Sequence, residues 1–168
     1  MPSDEQLMVA VSRGDHEAFR DLYDRHHRGL FAFIARYAGQ HDADDIFQET
    51  WLRVAKHAPR FDPARRFTTW LFQIAVNLCH DWHRRRARAA VPIEPASPSE
   101  PSCEPEVALD AAKLLTTLAP PHRAVLVLRY FHDLSEAEIA AILEIPRGTV
   151  KSRTAAALSR LRALTADE

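Results

Sequence analysis

The sequence predicts an all-α chain, folded as two small helical domains on either side of a short linker. Three observations predict it. Apolar residues recur at three- and four-residue spacing along both ends of the chain, and no stretch alternates with the period of two that a half-buried strand requires. Residues 91–106, Val-Pro-Ile-Glu-Pro-Ala-Ser-Pro-Ser-Glu-Pro-Ser-Cys-Glu-Pro-Glu, carry five prolines and almost no large apolar side chain, so they cannot build a core and should run extended. Near the end, Ser135 followed three residues later by Glu138 is a capping box, the signature of a helix start. The division is therefore 1–90, a linker at 91–106, and 107–168.

In order along the chain, Asp4 to Arg13 gives a short helix stopped at Gly14. Asp15 to Tyr37 is longer. Phe19, Leu22, Tyr23, Leu30, Phe33 and Ile34 supply its core stripe, and Gly39 ends it. A third helix runs from about Asp42 to His57, residues 60–66 form a loop, and a fourth helix runs from about Phe67 to Arg88. Beyond the linker, helices near Val107–Leu118 and Pro121–Phe131 precede the helix that Ser135 caps. On that helix Ile139, Ile142 and Leu143 share one face, until Glu144-Ile145-Pro146-Arg147-Gly148 breaks it. In the next helix Val150, Thr154, Ala157, Leu158, Leu161 and Leu164 point inward. Two short helices joined by a tight turn, the second basic at its start, make a helix-turn-helix. Its physical use is to present the start of the second helix to base edges in the DNA major groove.

Net charge is −1, an odd value for a DNA binder until it is divided. Residues 1–90 carry 14 bases and 12 acids, and residues 113–168 carry eight bases and six acids, so each of these segments is net +2. Residues 91–112 carry five acids and no base. Segregation of charge is the signal, not its total. The start, Met1-Pro-Ser-Asp-Glu5, is acidic, and no apolar run approaches membrane-spanning length, so a cytoplasmic protein without membrane insertion is expected.

Enzyme chemistry finds little support. Two cysteines, Cys79 and Cys103, make neither a disulfide framework nor a four-ligand zinc site. His26, His27, His41, His80 and His83 sit in no ligand spacing, and His80, Cys79 and His83 on one helix cannot all point at one ion. With four glycines there is no phosphate-cradling loop. No catalytic residue, metal or cofactor is expected. Cys103 in the linker should be exposed, and a lone linker cysteine is usually incidental.

The two middle helices carry the remaining signals. In the third, Ala43, Ile46, Phe47, Thr50, Trp51 and Val54 recur at helical spacing, while Asp45, Gln48, Glu49, Arg53 and Lys56 form the opposite stripe. That stripe is either a solvated face or a protein-docking surface, and periodicity cannot choose. In the fourth, Phe67, Trp70, Leu71, Ile74 and Leu78, with Trp82, form the apolar side, and Thr68, Thr69, Gln73, Asn77, His80 and Asp81 face out. Arg84, Arg85, Arg86 and Arg88 close it, more cations than the helix dipole needs. With Arg60, Arg65 and Arg66 in the preceding loop they suggest a phosphate-tracking surface, and aromatic side chains among them could hold unstacked bases, although Trp70 reads better as core.

Three motifs then occur in order: Asp45-Ile-Phe-Gln48-Glu49-Thr-Trp-Leu-Arg53-Val, Phe67-Thr-Thr-Trp-Leu-Phe-Gln-Ile-Ala-Val-Asn77, and Ile145-Pro-Arg-Gly-Thr-Val-Lys-Ser-Arg153. Together they resemble a bacterial RNA polymerase sigma factor of the extracytoplasmic-function group, over nearly the whole chain except the linker. The resemblance implies that the first domain is sigma region 2 and the second sigma region 4. It implies that Asp45, Gln48, Glu49 and Arg53 dock on the clamp helices of the polymerase β′ subunit. Arg60, Arg65, Arg66, Thr69, Gln73, Asn77, Arg84 and Arg85 would face the −10 element, where one strand is captured and melted. The recognition helix, through Arg147, Thr149, Lys151, Ser152, Arg153 and Ala155, would read the −35 element. The second domain's apolar surface would grip the β flap, the acidic linker would thread toward the RNA path, and an anti-sigma factor would hold the protein in reserve.

One departure stands out. Such sigma factors continue Lys-Ser-Arg with further basic residues, and here Thr154-Ala155-Ala156-Ala157 follows. Lys or Arg can still read guanine, and Ala155 can pack on a thymine methyl, but fewer phosphate contacts and weaker salt dependence are expected at −35. The rival is a helix-turn-helix regulator that works without docking on polymerase, which explains residues 135–164 and leaves the Gln48-Glu49 stripe without a role.

Overall fold

The computed structural model describes residues 1–89 and 106–166; the linker prolines and Cys103 lie outside them, as do the last two residues. All regular elements among the described residues are helical: α1 (Asp4–Ser12), α2 (His16–Ala38), α3 (Gln40–His57), a 3-10 turn (Ala58–Arg60), α4 (Phe67–Ala89), α5 (Glu106–Thr116), α6 (Pro120–Leu126) continued by a π-helical turn (Val127–Phe131), α7 (Glu136–Leu143) and α8 (Arg147–Ala166).

Local chemistry sets the helix ends. The Ser3 and Asp15 side chains accept backbone N–H groups at the starts of α1 and α2, and Ser3 pairs with Gln6 in a reciprocal capping box. Gly39 stands at φ 97°, where a side chain would be strained, and turns α2 directly into α3. Ser135 accepts from the Glu138 N–H at 3.2 Å while Glu138 accepts from the Ser135 N–H at 2.8 Å, the box that the sequence announces. These bonds to the carboxylate, aided by Arg66, hold the Glu138 pKa below its usual range. At the other end of α7 the chain turns on Glu144, a non-glycine residue at φ 54°.

The core of the first half lies between α1, α2, α3 and α4. Met8, Leu22, Leu30, Phe33, Ile34, Ala43, Ile46, Val54, Phe67 and Leu71 are buried in it. Trp51 closes one side, edge-on to Phe19 and tilted on Tyr23. In the second half Val125, Leu128, Ile139, Val150 and Ala157 form the centre, with Leu158 and Leu161 packed against it.

The two halves touch. The sequence predicts one apolar side on α4, yet Phe72, Ala75, Val76 and Cys79 are buried as well. The ring of Phe72 meets His132, just past the π-helical turn, at 5.3 Å between centroids, and Phe33 meets the same ring at 5.8 Å. Arg123 in α6 donates to the carbonyl oxygens of Leu115 at 2.9 Å and Leu118 at 3.0 Å, and to that of Tyr37 at 2.8 Å. One guanidinium thereby satisfies orphan acceptors at the C-terminal ends of α2 and α5.

Candidate nucleic-acid and protein interfaces

Three surfaces collect the residues singled out by sequence. The first is a cleft of about 410 Å³ between α3 and α4. Asp45, Gln48 and Glu49 are exposed along its rim, and Arg53 is half-buried, donating to Glu49 Oε1 at 3.1 Å one turn away. Leu78 and Trp82 give the cleft an apolar floor, and Leu52 lines it from the exposed edge. Leu52 is the residue that the sequence reading missed. It is 65% exposed, and the available signal is a leucine three residues after Glu49 within an otherwise polar stripe. An apolar strip with acids and arginines on its edges is the chemistry that accepts an amphipathic helix of another protein.

The second surface is the loop 60–66 with the first turns of α4. Asp62 Oδ1 accepts the Ala64 N–H at 2.9 Å and shapes the turn. Phe61 is buried against Phe67 and Trp70, which explains why Trp70 is half-buried packing rather than a free base platform. The first N–H of α4 has no cap from its own loop. Glu5 in α1 supplies it, accepting the Phe67 N–H at 2.9 Å, and this bond draws the Glu5 pKa below the usual carboxylate range. Arg60, Arg65 and Arg66 are exposed, Thr69 and Gln73 half-buried, and Asn77 exposed one turn further on.

These groups are already engaged. Arg65 donates to Gln73 Oε1 at 2.8 Å, and Gln73 Nε2 donates to the Ala141 carbonyl of α7 at 2.6 Å. Arg66 pairs with Glu138 at 2.7 Å. The arginines that close α4 separate. Arg84 pairs with Asp81 on its own helix, Arg86 reaches Asp42 at 2.8 Å, and Arg85 lines the α3–α4 cleft beside Glu49. Arg65, Arg66 and Gln73 form one cluster, and Arg84 and Arg85 stand apart from it.

The third surface is the start of α8. Arg147, Lys151, Ser152 and Ala155 are exposed, Lys151 lies 4.0 Å from Glu136, and Ser152 Oγ donates to the Thr149 carbonyl at 3.1 Å. Thr149 and Arg153 are half-buried. Arg153 leans toward the first domain, near enough that its charge acts on Tyr37 and His80. Four of the six recognition-helix candidates are therefore presented together.

No group of three His, Cys, Asp or Glu side chains among the described residues is placed to hold a metal. His26 Nε2 donates to Asp4 Oδ2 at 2.7 Å, His83 packs on Tyr37, and desolvation lowers the His80 and His83 pKa values. Burial pushes the Cys79 thiol up to about 12, so it stays protonated and unreactive.

Comparison with known proteins follows the same division. Residues 22–89 match the family described as sigma-70 region 2, and residues 114–163 match sigma-70 region 4. The extracytoplasmic-function RNA polymerase sigma factor SigM of Mycobacterium tuberculosis is 36% identical over 166 residues, covering 96% of this chain and 84% of that protein. SigW of Bacillus subtilis is 32% identical, covering 85% and 86%. Among solved structures, CnrH in complex with the cytosolic domain of CnrY superposes with a TM-score of 0.77 at 28% identity over 99% of each chain. RpoE of Bartonella quintana in complex with the anti-sigma factor NepR gives 0.77 at 26% identity over 88% of this chain and 96% of that one.

Proposed function

The chain belongs to the extracytoplasmic-function RNA polymerase sigma factors, and from that membership we propose which of its surfaces performs each part of the work. A sigma factor has no catalysis of its own; it binds core polymerase and directs it to promoters with −10 and −35 elements. The rival regulator reading leaves the region 2 match over residues 22–89 without a purpose.

Residues 1–90 serve as the polymerase-docking and −10 domain, 91–106 as the linker, and 107–168 as the −35 domain. The α3–α4 cleft, with Asp45, Gln48, Glu49, Leu52 and Arg53 along its edge, receives the β′ clamp helices. Arg60, Arg65, Arg66, Thr69, Gln73 and Asn77 face the −10 strand; Arg85, placed in the cleft, serves docking better than DNA, and Arg84 stays paired with Asp81. Arg147, Lys151, Ser152 and Ala155 read the −35 bases, with Thr149 and Arg153 shaping the helix start. The exposed aromatics Tyr130 and Phe131 belong to the apolar surface offered to the β flap. The structural relatives were solved with the anti-sigma factor NepR or with the cytosolic domain of CnrY, and an anti-sigma factor is the expected keeper of this chain too. No helix among the described residues is long and apolar enough to cross a membrane, and the cytoplasm, where polymerase works, is the proposed site of action.

The observation that carries this reading is the cleft, whose exposed leucine and charged border suit a docked helix and have no use in a regulator that only binds DNA. Run-off transcription on fragmented genomic DNA of the source bacterium, with core polymerase and with or without this protein, tests it. New starts sharing two spaced elements are expected. Duplex DNA binding with no new start would overturn it in favour of the regulator.

A further inference from the structure

From the bond that reaches across to the start of α4 we infer that Glu5 is a positioning residue for promoter recognition. Through this one carboxylate, α1 fixes the pose in which the loop 60–66 and the first turn of α4 meet the −10 strand. The inference rests on the placement of the −10 strand proposed above, and it extends that placement to a helix that precedes the region 2 match at residues 22–89.

The loop has little of its own to hold its backbone. Residues 62–66 are all exposed, and their internal support is one turn, in which the Asp62 side chain accepts the Ala64 N–H and the Asp62 carbonyl accepts the Arg65 N–H at 3.0 Å. Phe61 and Phe67, both buried, pin the two ends. A buried ring fixes where an end lies, not the direction in which the backbone leaves it. At Phe67 that direction is set by the N–H, which donates to Glu5 Oε1 at 2.9 Å. Arg66 is the residue immediately before this N–H, and Thr69 lies two residues after Phe67. A shift of this one peptide re-aims both.

The carboxylate is held on a rigid arm. Asp4, its neighbour, accepts from Arg25 Nη1 at 2.9 Å and from His26 Nε2 at 2.7 Å, so the first turn of α1 is tied to α2. The Pro2 carbonyl accepts from the same Arg25 nitrogen at 3.0 Å, and Ser3 and Gln6 close the capping box around Glu5. Leu7 and Met8 bury the next turn. The His26 ring also lies against Phe67, with 5.3 Å between centroids. Phe67 is thereby gripped twice from one corner, by its ring and by its N–H. The two consecutive acids have separate tasks: Asp4 ties α1 to α2, and Glu5 hands that fixed position on to α4. The bond also draws the Glu5 pKa below the usual carboxylate range, so the acceptor stays ionised where the helix dipole favours a negative charge.

Transcription by core polymerase from the promoters found by run-off, each also prepared with an altered −10 or an altered −35 element, tests the inference. Glu5→Ala removes the acceptor, Glu5→Asp withdraws it by one methylene, and Glu5→Gln keeps a carbonyl oxygen in place. Loss of a capping acceptor shifts a helix-start equilibrium roughly fivefold. Glu5→Ala and Glu5→Asp should therefore lose about fivefold in discrimination between intact and altered −10 elements, while Glu5→Gln stays within about twofold of the wild type. Discrimination at −35 and polymerase affinity should not change in any of the three. Amide hydrogen exchange at Phe67 should quicken in the first two variants and not in the third. Glu5→Asp is the mildest change and should keep the wild-type circular dichroism and the wild-type radius in small-angle X-ray scattering, so it carries the test if Glu5→Ala loosens the first domain. An equal fall in −10 and −35 discrimination would mark a general loss of stability and overturn the inference. Quicker Phe67 exchange with −10 discrimination intact would overturn it too. Arg65→Ala with Arg66→Ala separates these failures from that of the reading beneath. If the double variant loses −10 discrimination and the Glu5 variants keep it, the strand placement stands and the positioning role falls. If the double variant keeps it as well, the −10 placement falls and the inference with it, while the family membership stands.

Discussion

The two sides of α4 differ in how ready they are. Toward α3 it borders a cleft whose apolar floor and charged rim are open to solvent. Toward α7 it presents Gln73, with Arg65 and Arg66 of the preceding loop beside it, each already bonded, Gln73 and Arg66 to the second domain. The α3 side is open to a ligand as it stands, whereas a ligand for Arg66 and Gln73 would have to displace their bonds to α7.

The comparison breaks most completely if its common support is removed. Phe33 lies fully buried, edge-on to Phe72 and His132 and stacked on Tyr37, so it belongs both to the first core and to the closed interface. Phe33→Ala should lower stability in urea unfolding by about 3–5 kcal/mol. A loss below about 1 kcal/mol would mean the domains do not share a core there.

The open side is next. Charge reversal in Glu49→Lys should weaken core-polymerase binding by roughly 10- to 100-fold, the range for a charge that meets its complement across an interface. Folding should be unaffected, since the Glu49–Arg53 pair is exposed and worth at most about 1 kcal/mol. Unchanged affinity in a polymerase titration would close the cleft as a docking site.

A control far from both sides sharpens the contrast. Lys151→Ala with Ser152→Ala should cost about tenfold in −35 discrimination, with a shallower salt dependence, and leave polymerase binding and the scattering radius alone. Surviving promoter choice would remove α8 as the reading helix.

Acid should move the covered side alone, by the smallest amount. Burial, reinforced by Arg36, lowers the His132 pKa from 6.5 to about 4 in the closed arrangement. An opened chain binds the proton more readily, so closure is at full strength above pH 6.5 and weakens as pH falls from there toward 4. The scattering radius should therefore grow between pH 7.5 and 5, and His132→Phe should remove that growth. Equal growth in the variant would assign it to other groups, His80 and His83 being the nearest with lowered pKa values.

Much of this architecture is local and was therefore legible. The Ser135–Glu138 box, the Gly39 turn and the inward stripe of α3 each depend on residues within a turn or two. The second buried face of α4 was not legible, because Phe72, Val76 and Cys79 merge with Leu71, Ala75 and Leu78 into one broad apolar band, and only the arrival of a distant domain divides it in two. The separation of the arginine run was hidden for a related reason. Arg84 could be paired with Asp81 from spacing alone, but the ion pair of Arg86 with Asp42 joins residues on different helices. Leu52 shows the opposite failure: a single apolar residue in a polar stripe looks like noise until the cleft beneath it is seen.

The borrowed cap on α4 has an engineering consequence. Because Glu5 holds the Phe67 N–H, and Ser3, Glu5, Gln6 and Val9 border the same hollow as Pro63, Ala64, Arg65 and Arg66, the loop 60–66 takes its pose from the first turn of the chain. A chimera that transplants only that loop from a relative, in the hope of transplanting its promoter preference, would set donor residues against an α1 that did not shape them and leave the donor arginines misaimed. The transferable unit is the loop together with α1.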